Sequence, residues 1–394
     1  MKLFLILLIS STIMIAKPIT LNEILVHTKT QHPQFQAKEQ LRLSLEAQAK
    51  ANFAVAPFSL SIGGANASPD EGDDAFEYSV ALSKSFALGD TRELGLIAKQ
   101  LEDEAKLLEK ERALIALSNR IKNLYHQSCL DKEKRRLIEA SLESYRKLYH
   151  KKEKAYRFNE ISKKELLLLQ MQMRTLQQEA RSALFSEKIS QDRLYDLTRI
   201  DKSKPLSCHD MAPLKEDITF KQAPFMLTKI SFKKEMKALD AKEKRYNKSI
   251  ESIDIDASYD DEIDTKRVGV GFAIPLAFTS QKNEQNHLAI MHQKALNKLQ
   301  YQNKMIEQQS QKKVLLGELQ NSYNAIIMIE KNQKLYHDSL MPLVEKSFKY
   351  GESSSLEYIF ARQKLLSLSQ KLIASKKTYY NTLFTLYSLL EMEQ

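Results

Sequence analysis

Apolar and polar positions alternate one for one in four short stretches of the chain and recur every three or four residues through most of the rest. In 76–86, Phe76, Tyr78, Val80, Leu82 and Phe86 share one face, and Glu77, Ser79, Ala81, Ser83 and Ser85 the other. In 268–278, Val268, Val270, Phe272, Ile274, Leu276 and Phe278 oppose Gly269, Gly271, Ala273, Pro275 and Ala277. Phe58, Leu60 and Ile62 repeat the pattern, as do Ile253, Ile255, Ala257 and Tyr259, with Asp254 and Asp256 facing the other way. Strict period two predicts strands with one apolar face. Each stretch is about 10 residues, the length of a tilted strand in an outer membrane. A soluble core is the other use for such strands. Four strands cannot close alone, lipid does not admit open sheet edges, and three copies would supply twelve, an even number that a barrel accepts. Pro275 cannot donate to a ladder, which places it near a strand-to-helix junction.

The three-and-four spacing predicts very long helices. From Leu88 to about Arg157, Leu94, Ile97, Leu101, Leu108, Ala113, Leu114, Leu117, Ile121 and Leu124 form a stripe that needs partner helices. At 1.5 Å per residue this stretch would run roughly 100 Å. A second stretch, from about Lys282 to Lys349, is richer in Gln and Asn. A helix polar on two sides suits a hollow assembly with a wet interior; an exposed coiled coil is the alternative.

These elements occur in a unit written twice, at an offset of about 192 residues. Gln31-His32-Pro33 and Gln222-Ala223-Pro224 each open a helix, followed by an alternating segment, an acidic loop, a second alternating segment and a long helical stretch. Each long stretch breaks at a short turn, 156–162 and 348–354, and returns as another helix. The acidic loops are Asp70 to Asp74 and Asp260-Asp261-Glu262; the turn at the other end of the first unit is basic, with Lys151, Lys152, Lys154, Arg157, Lys163 and Lys164. The organisation expected is a first repeat over 17–200, a linker over 201–219 and a second repeat over 220–394.

Residues 1–16 carry Lys2, an apolar run and a small residue, Ala16, at the expected cut, which reads as a signal peptide rather than a membrane anchor. Beyond Ala16 no run of about 18 apolar residues exists. An exported chain of this kind is periplasmic, secreted or a β-barrel. The formal charge of +10 over 394 residues raises nucleic acid as a partner. Against it, Lys is spread along helices that also carry Glu, with no stacking aromatics interleaved, so a solvated helix face accounts for the charge.

No motif for catalysis, nucleotide or metal is present. HExxH, GxSxG, Walker A and CxxC are absent, His287 and His292 are poorly spaced to share a metal, and Gly63-Gly64 reads as a strand end. The expectation is a protein with no catalytic residues, no cofactor and no metal site.

The layout resembles the outer-membrane efflux protein family, the TolC-like exit ducts, over essentially the whole mature chain. The resemblance rests on Leu21-Asn22-Glu23-Ile24 with Gln31-His32-Pro33, on Gly269 to Leu276, and on Phe348 to Glu357, in this order within a duplicated frame. It implies a mainly α fold with a small β part. Duplicated long-helix hairpins would form an α-barrel, and four strands would join a trimeric twelve-stranded β-barrel in the outer membrane, with a long periplasmic extension. It implies a passive duct in a tripartite pump, working with a periplasmic adaptor and an inner-membrane efflux transporter. A periplasmic coiled-coil adaptor or scaffold without a barrel is the competing reading. Some relatives by appearance serve heavy-metal pumps, and the cargo (metal ion, organic toxin or protein) is left open.

In the family the periplasmic tip is built from the two helical turns. The residues it implies here are Asn159, Glu160 and Glu165 in the first turn and Gly351, Glu352, Ser353 and Glu357 in the second. The acidic residue six positions past the turn glycine commonly faces the pore; from Gly351 this is Glu357, and the equivalent from Asn159 is Glu165. An ordinary solvated glutamate at a helix start is the competing account of both. Asn159 departs from the usual glycine, though Asn tolerates the left-handed conformation; Ser353 stands where an arginine is usual. The linker of the family wraps the middle of the helical tunnel. This would bring Cys208 to the height of Cys129, and an even count of two cysteines in an exported chain suits one bridge.

Overall fold

The computed structural model describes residues 17–68, 75–218, 220, 223–247, 250, 252–262, 265–275 and 281–393. The leader expected over 1–16 and the acidic loop Asp70 to Asp74 lie outside them. The chain order is α1 (Leu21–Gln31), α2 (Pro33–Asn52), β1 (Ser59–Ala67), β2 (Ala75–Ala87), α3 (Thr91–Arg157), α4 (Lys163–Thr198), α5 (Met226–Tyr246), β3 (Ser252–Glu262), β4 (Thr265–Ala273), α6 (Lys282–Leu335), one π turn (Tyr336–Leu340), α7 (Met341–Lys349) and α8 (Ser355–Leu389). It divides into two compact units, each drawing on both halves of the sequence. One comprises 1–36, 114–224 and 310–394, the other 37–113 and 225–309.

Local chemistry sets the helix ends. Thr20 caps α1 in a reciprocal box with Glu23: Thr20 Oγ1 accepts from Glu23 N at 3.3 Å and Glu23 Oε2 accepts from Thr20 N at 2.8 Å. His32 is then extended because Pro33 follows it, and Pro33 opens α2 without losing a needed donor. The helix expected from Gln31 onward is therefore preceded by a separate one. The long helix of the second half is interrupted where the sequence pattern showed nothing. Pro342 brings no N–H, and the turn before it widens so that Met341 N bonds Tyr336 O.

In the first unit, α3 buries Leu114, Leu117, Ile121, Tyr125 and Cys129 against Ile24, Leu194, Tyr195 and Leu206. Further along it buries Ile138, Leu142 and Tyr145 against Leu169, Leu176, Ala183 and Ile359. Leu114, Leu117 and Ile121 belong to the three-and-four stripe read from the sequence; Ala113 of that stripe is exposed, and the buried face continues beyond it from Tyr125 to Tyr145. In the second unit the same helix behaves differently. Ala98 and Ala105 are buried, together with Thr91, Gly95 and Asp103, while Ile97 is exposed and Leu94, Leu101 and Leu108 are half-buried. Small residues face the neighbours here because backbones approach closely. Ser231 Oγ of α5 donates to Ala105 O, and a Cβ on Gly95 would lie 2.3 Å from the Phe53 ring.

The second unit holds one antiparallel sheet in the order β1-β2-β3-β4. Its register pairs Leu60 with Leu82, Ile62 with Val80, Val80 with Tyr259, Ala257 with Val270 and Ile255 with Phe272, so the apolar positions share one face. The apolar alternation expected over 268–278 is realised as a strand only over 265–273. Ile274 and Pro275 follow it, and 276–280 lie outside the described residues. Asp260, Asp261 and Glu262, expected in a loop, are strand residues opposite Arg267, Lys266 and Thr265. Lys266 approaches Asp261 at 3.7 Å and Arg267 approaches Glu262 at 3.1 Å, which offsets the acidic charge and lets the ladder continue.

Candidate functional site

The two helical turns of the first unit share one backbone device. Asn159 and Gly351 both take the left-handed conformation, with φ of 56° and 77°. Glu160 N bonds Ala155 O at 3.0 Å and Asn159 N bonds Tyr156 O at 3.0 Å; Glu352 N bonds Ser347 O at 2.9 Å and Gly351 N bonds Phe348 O at 3.3 Å. Both are the paired helix-ending bonds of a Schellman turn. The next helix then starts on a serine cap. Ser162 Oγ accepts from Glu165 N and Ser354 Oγ from Glu357 N, each at 3.2 Å. Glu165 and Glu357 thus occupy the same third helical position.

Their carboxylates are used differently. Glu357 reaches back to accept from Ser354 N at 3.1 Å, completing a capping box. Glu165 instead pairs with Lys152 at 3.2 Å. Lys152 Nζ also lies 4.9 Å from the centre of the Phe348 ring, which stacks on Tyr358 at 4.5 Å, with Arg362 over Tyr358 at 5.0 Å. Arg362 pairs with Glu345 at 3.1 Å and donates to Ser144 Oγ. Tyr145 Oη donates to Ile359 O at 3.1 Å, and burial pushes its hydroxyl up to about 12. This chain of charge and ring contacts ties the first hairpin to the second. Of its members the sequence marked only Lys152, Phe348 and Glu165, without their mutual contact. Glu160 and Glu352 are exposed and make no ion pair among the described residues, and Ser353 is half-buried.

Cys129 and Cys208 are brought together in a disulfide with Cα atoms 5.6 Å apart. Around it the linker backbone is held by side chains. Tyr125 Oη donates to Ser207 O at 2.7 Å and accepts from Asp210 N at 3.3 Å. Tyr195 Oη donates to Lys204 O at 2.7 Å, Lys132 Nζ to Leu206 O at 3.1 Å and Tyr380 Oη to Ala212 O at 2.6 Å. Tyr379 Oη accepts from Lys215 N at 3.0 Å. His126 Nε2 accepts from Ala212 N at 2.8 Å while its Nδ1 lies 2.7 Å from Lys122 O, so the ring is neutral with its proton on Nδ1. Burial among Tyr380 and Phe384 lowers its pKa to about 4. An irregular segment whose polar groups are answered this fully is a fixed part of the fold.

The sheet carries the opposite signature. Its apolar face is open, with Val268 at 82% and Ile62 at 72% exposed. Its other face carries Asp254, Asp256, Asp260 and Glu77 among Ser and Gly positions. A Cβ on Gly271 would lie 2.5 Å from the Asp256 carboxylate, so glycine leaves room for that side chain to lie across β4. Among the described residues no helix is long and apolar enough to cross a membrane, and no three His, Cys, Asp or Glu side chains could hold a metal ion.

No family model and no curated protein matches the chain. Solved structures do, and they define the class: the fold is that of TolC-like outer-membrane channels. The CmeC outer membrane channel of Campylobacter jejuni superposes with a TM-score of 0.76 at 15% identity, covering 94% of this chain and 85% of that one. CusC, described in terms of transmembrane channel formation, gives 0.77 at 14%, covering 95% and 93%. The outer membrane protein VceC of Vibrio cholerae gives 0.72 at 13%, covering 94% and 96%.

Proposed function

We propose that the chain is the outer-membrane channel of a tripartite efflux pump. It acts as a passive homotrimeric exit duct, with its sheet in outer-membrane lipid and its helices in the periplasm. A periplasmic adaptor and an inner-membrane transporter deliver the substrate, and no catalytic step falls to this chain. The observation that carries the reading is the four-stranded sheet. It has one mainly apolar face turned outward, with Lys84 and the Asp261–Lys266 pair toward its ends, and two strands, β1 and β4, that each have a single neighbour. Water penalises such a face and lipid penalises such edges. Three copies end both penalties by closing twelve strands. A periplasmic scaffold would leave that face in water.

The outward residues of α6 and α7 support the same assembly. Leu299, Ile306, Val314, Met328, Leu335 and Leu343 are exposed at intervals of seven or eight, apart from the gap between Val314 and Met328. This is a helical seam left open among the described residues of the single chain. The two hairpin turns form the periplasmic tip, and Glu357 contributes a ring of three carboxylates to its opening. The test is planar-bilayer conductance: the wild type is cation-selective, as acidic rings make channels, and Glu357→Ala lowers that selectivity. A chain that forms no pore in bilayers contradicts the proposal.

A further inference from the structure

The helix-bearing end of the sheet holds a feature that the duct does not require. There β1 begins at Ser59, β2 ends at Ala87 and β3 begins at Ser252, with Ala87 paired to Ser252. Between these strand ends and the adjoining helices lies a cavity of about 520 Å³. Arg92 and Arg245 line it, with the hydroxyls of Ser85 and Ser252 and the rings of Phe53 and Phe86. No Asp or Glu is among the lining residues. Arg92 Nε donates to Phe53 O, and no carboxylate pairs with Arg92 among the described residues.

Lys84 lies beside it, on the apolar face of the sheet between Leu82 and Phe86. Its Nζ sits 4.3 Å from the centre of the Phe58 ring and 5.2 Å from that of Phe86, and no carboxylate pairs with it among the described residues. A cation on a lipid-facing surface is costly unless its long side chain reaches the headgroup layer, where aromatic rings also settle. Phe86 belongs to both places, so the lysine and the two-arginine cavity form one surface. Guanidinium forks match phosphate oxygens in pairs.

We propose that this surface binds the phosphate of an anionic membrane lipid, with Arg92 and Arg245 in the cavity, Lys84 at its outer edge and the acyl chains against Phe58 and Leu60. The proposal rests on the membrane reading of the sheet. A phosphate held by a lipid is favoured over a free one because the cationic surface continues directly into the apolar face.

The experiment uses the full chain in neutral detergent. Native mass spectrometry follows titration with phosphatidylglycerol, with phosphatidylcholine or with sodium phosphate. Phosphatidylglycerol is expected to be retained in preference to phosphatidylcholine. Arg92→Gln with Arg245→Gln should lower its retention about tenfold, and Lys84→Gln about threefold. The matching lysine pair, Arg92→Lys with Arg245→Lys, should recover part of the loss. Lys84→Gln disturbs no helix packing, so it remains informative if the double variant misfolds. Wild-type retention in Lys84→Gln and the double variant overturns the proposal. So does equal retention of phosphatidylcholine, or saturation by sodium phosphate alone. A chain washed from membranes by carbonate without detergent removes the membrane reading as well. A chain that stays in membranes with unchanged phosphatidylglycerol retention removes only this site.

Discussion

The linker region and the sheet are opposites in how they satisfy their chemistry. Around 201–215 the chain answers itself: a disulfide, four tyrosines, a histidine and a lysine hold an irregular backbone. The sheet answers almost nothing beyond its own ladder, leaving an apolar face outward and both outer strands with one neighbour each. The first region is complete within one chain, whereas the proposed trimer would complete the second.

Breaking the clasp should have the largest effect. Cys129 and Cys208 are 79 residues apart, and closing a loop of that size is worth about 4 kcal/mol in the chain-entropy model. Cys208→Ser is expected to lower the melting temperature of the helical signal and to make the linker cleavable by protease; an unchanged melting curve would remove the bond from the stability account. On the sheet, Val270→Arg should cost about 2–4 kcal/mol at mid-bilayer and deplete the chain from the membrane fraction. Ser258→Arg, one register position away on the other face, should be tolerated far better. Equal loss from both faces would contradict the assignment of the apolar face to lipid.

The clasp also carries a pH dependence. His126 is neutral in the fold, with burial lowering its pKa to about 4 from the usual 6.5 of a free imidazole. The groups around it are the Lys122 carbonyl and ammonium, Tyr125, Tyr380 and Phe384, and the cavity beside it adds Lys29, Asp210 and Glu393. Below pH 6.5 the unfolded chain takes up a proton that the folded chain refuses, so stability falls. The contribution is fully present above the unfolded pKa, is lost as pH drops toward about 4 and is then flat, with a span of about 3 kcal/mol. Chemical denaturation at a series of pH values should show this slope in the wild type and a weaker one in His126→Gln.

The smallest expected effect concerns the turns. Gly351→Ala forces a side chain into the left-handed region and should cost about 1 kcal/mol. Asn159→Gly should be neutral or slightly stabilising, because Asn159 already holds that conformation. Differential scanning of the two variants compares them directly.

What could be read from the sequence follows the range of the interactions involved. The strand faces and the helical breaks were legible because period and turn chemistry are local: Phe76 to Phe86 alternates with Lys84 as the one break on its apolar face, and Gly351 marks its own turn. The π turn at Tyr336–Leu340 was not, because one proline inside an amphipathic pattern does not announce how the helix will adjust. Nor was the change of face in α3, where Ala98 and Ala105 are buried in place of Leu94 and Ile97. That choice is made by the neighbours, with Gly95 of α3 close against the ring of Phe53, the residue just past the end of α2. The contacts linking Lys152, Phe348, Tyr358 and Arg362 escaped for the same reason: the register between helices almost 200 residues apart in the chain decides which ring meets which charge.

As proposed, the sheet is one third of a closed structure. Native mass measurement of the full chain extracted in neutral detergent tests it most directly. A species of three chains that persists on dilution is expected; a stable single chain, extracted and folded, would rule the closed sheet out.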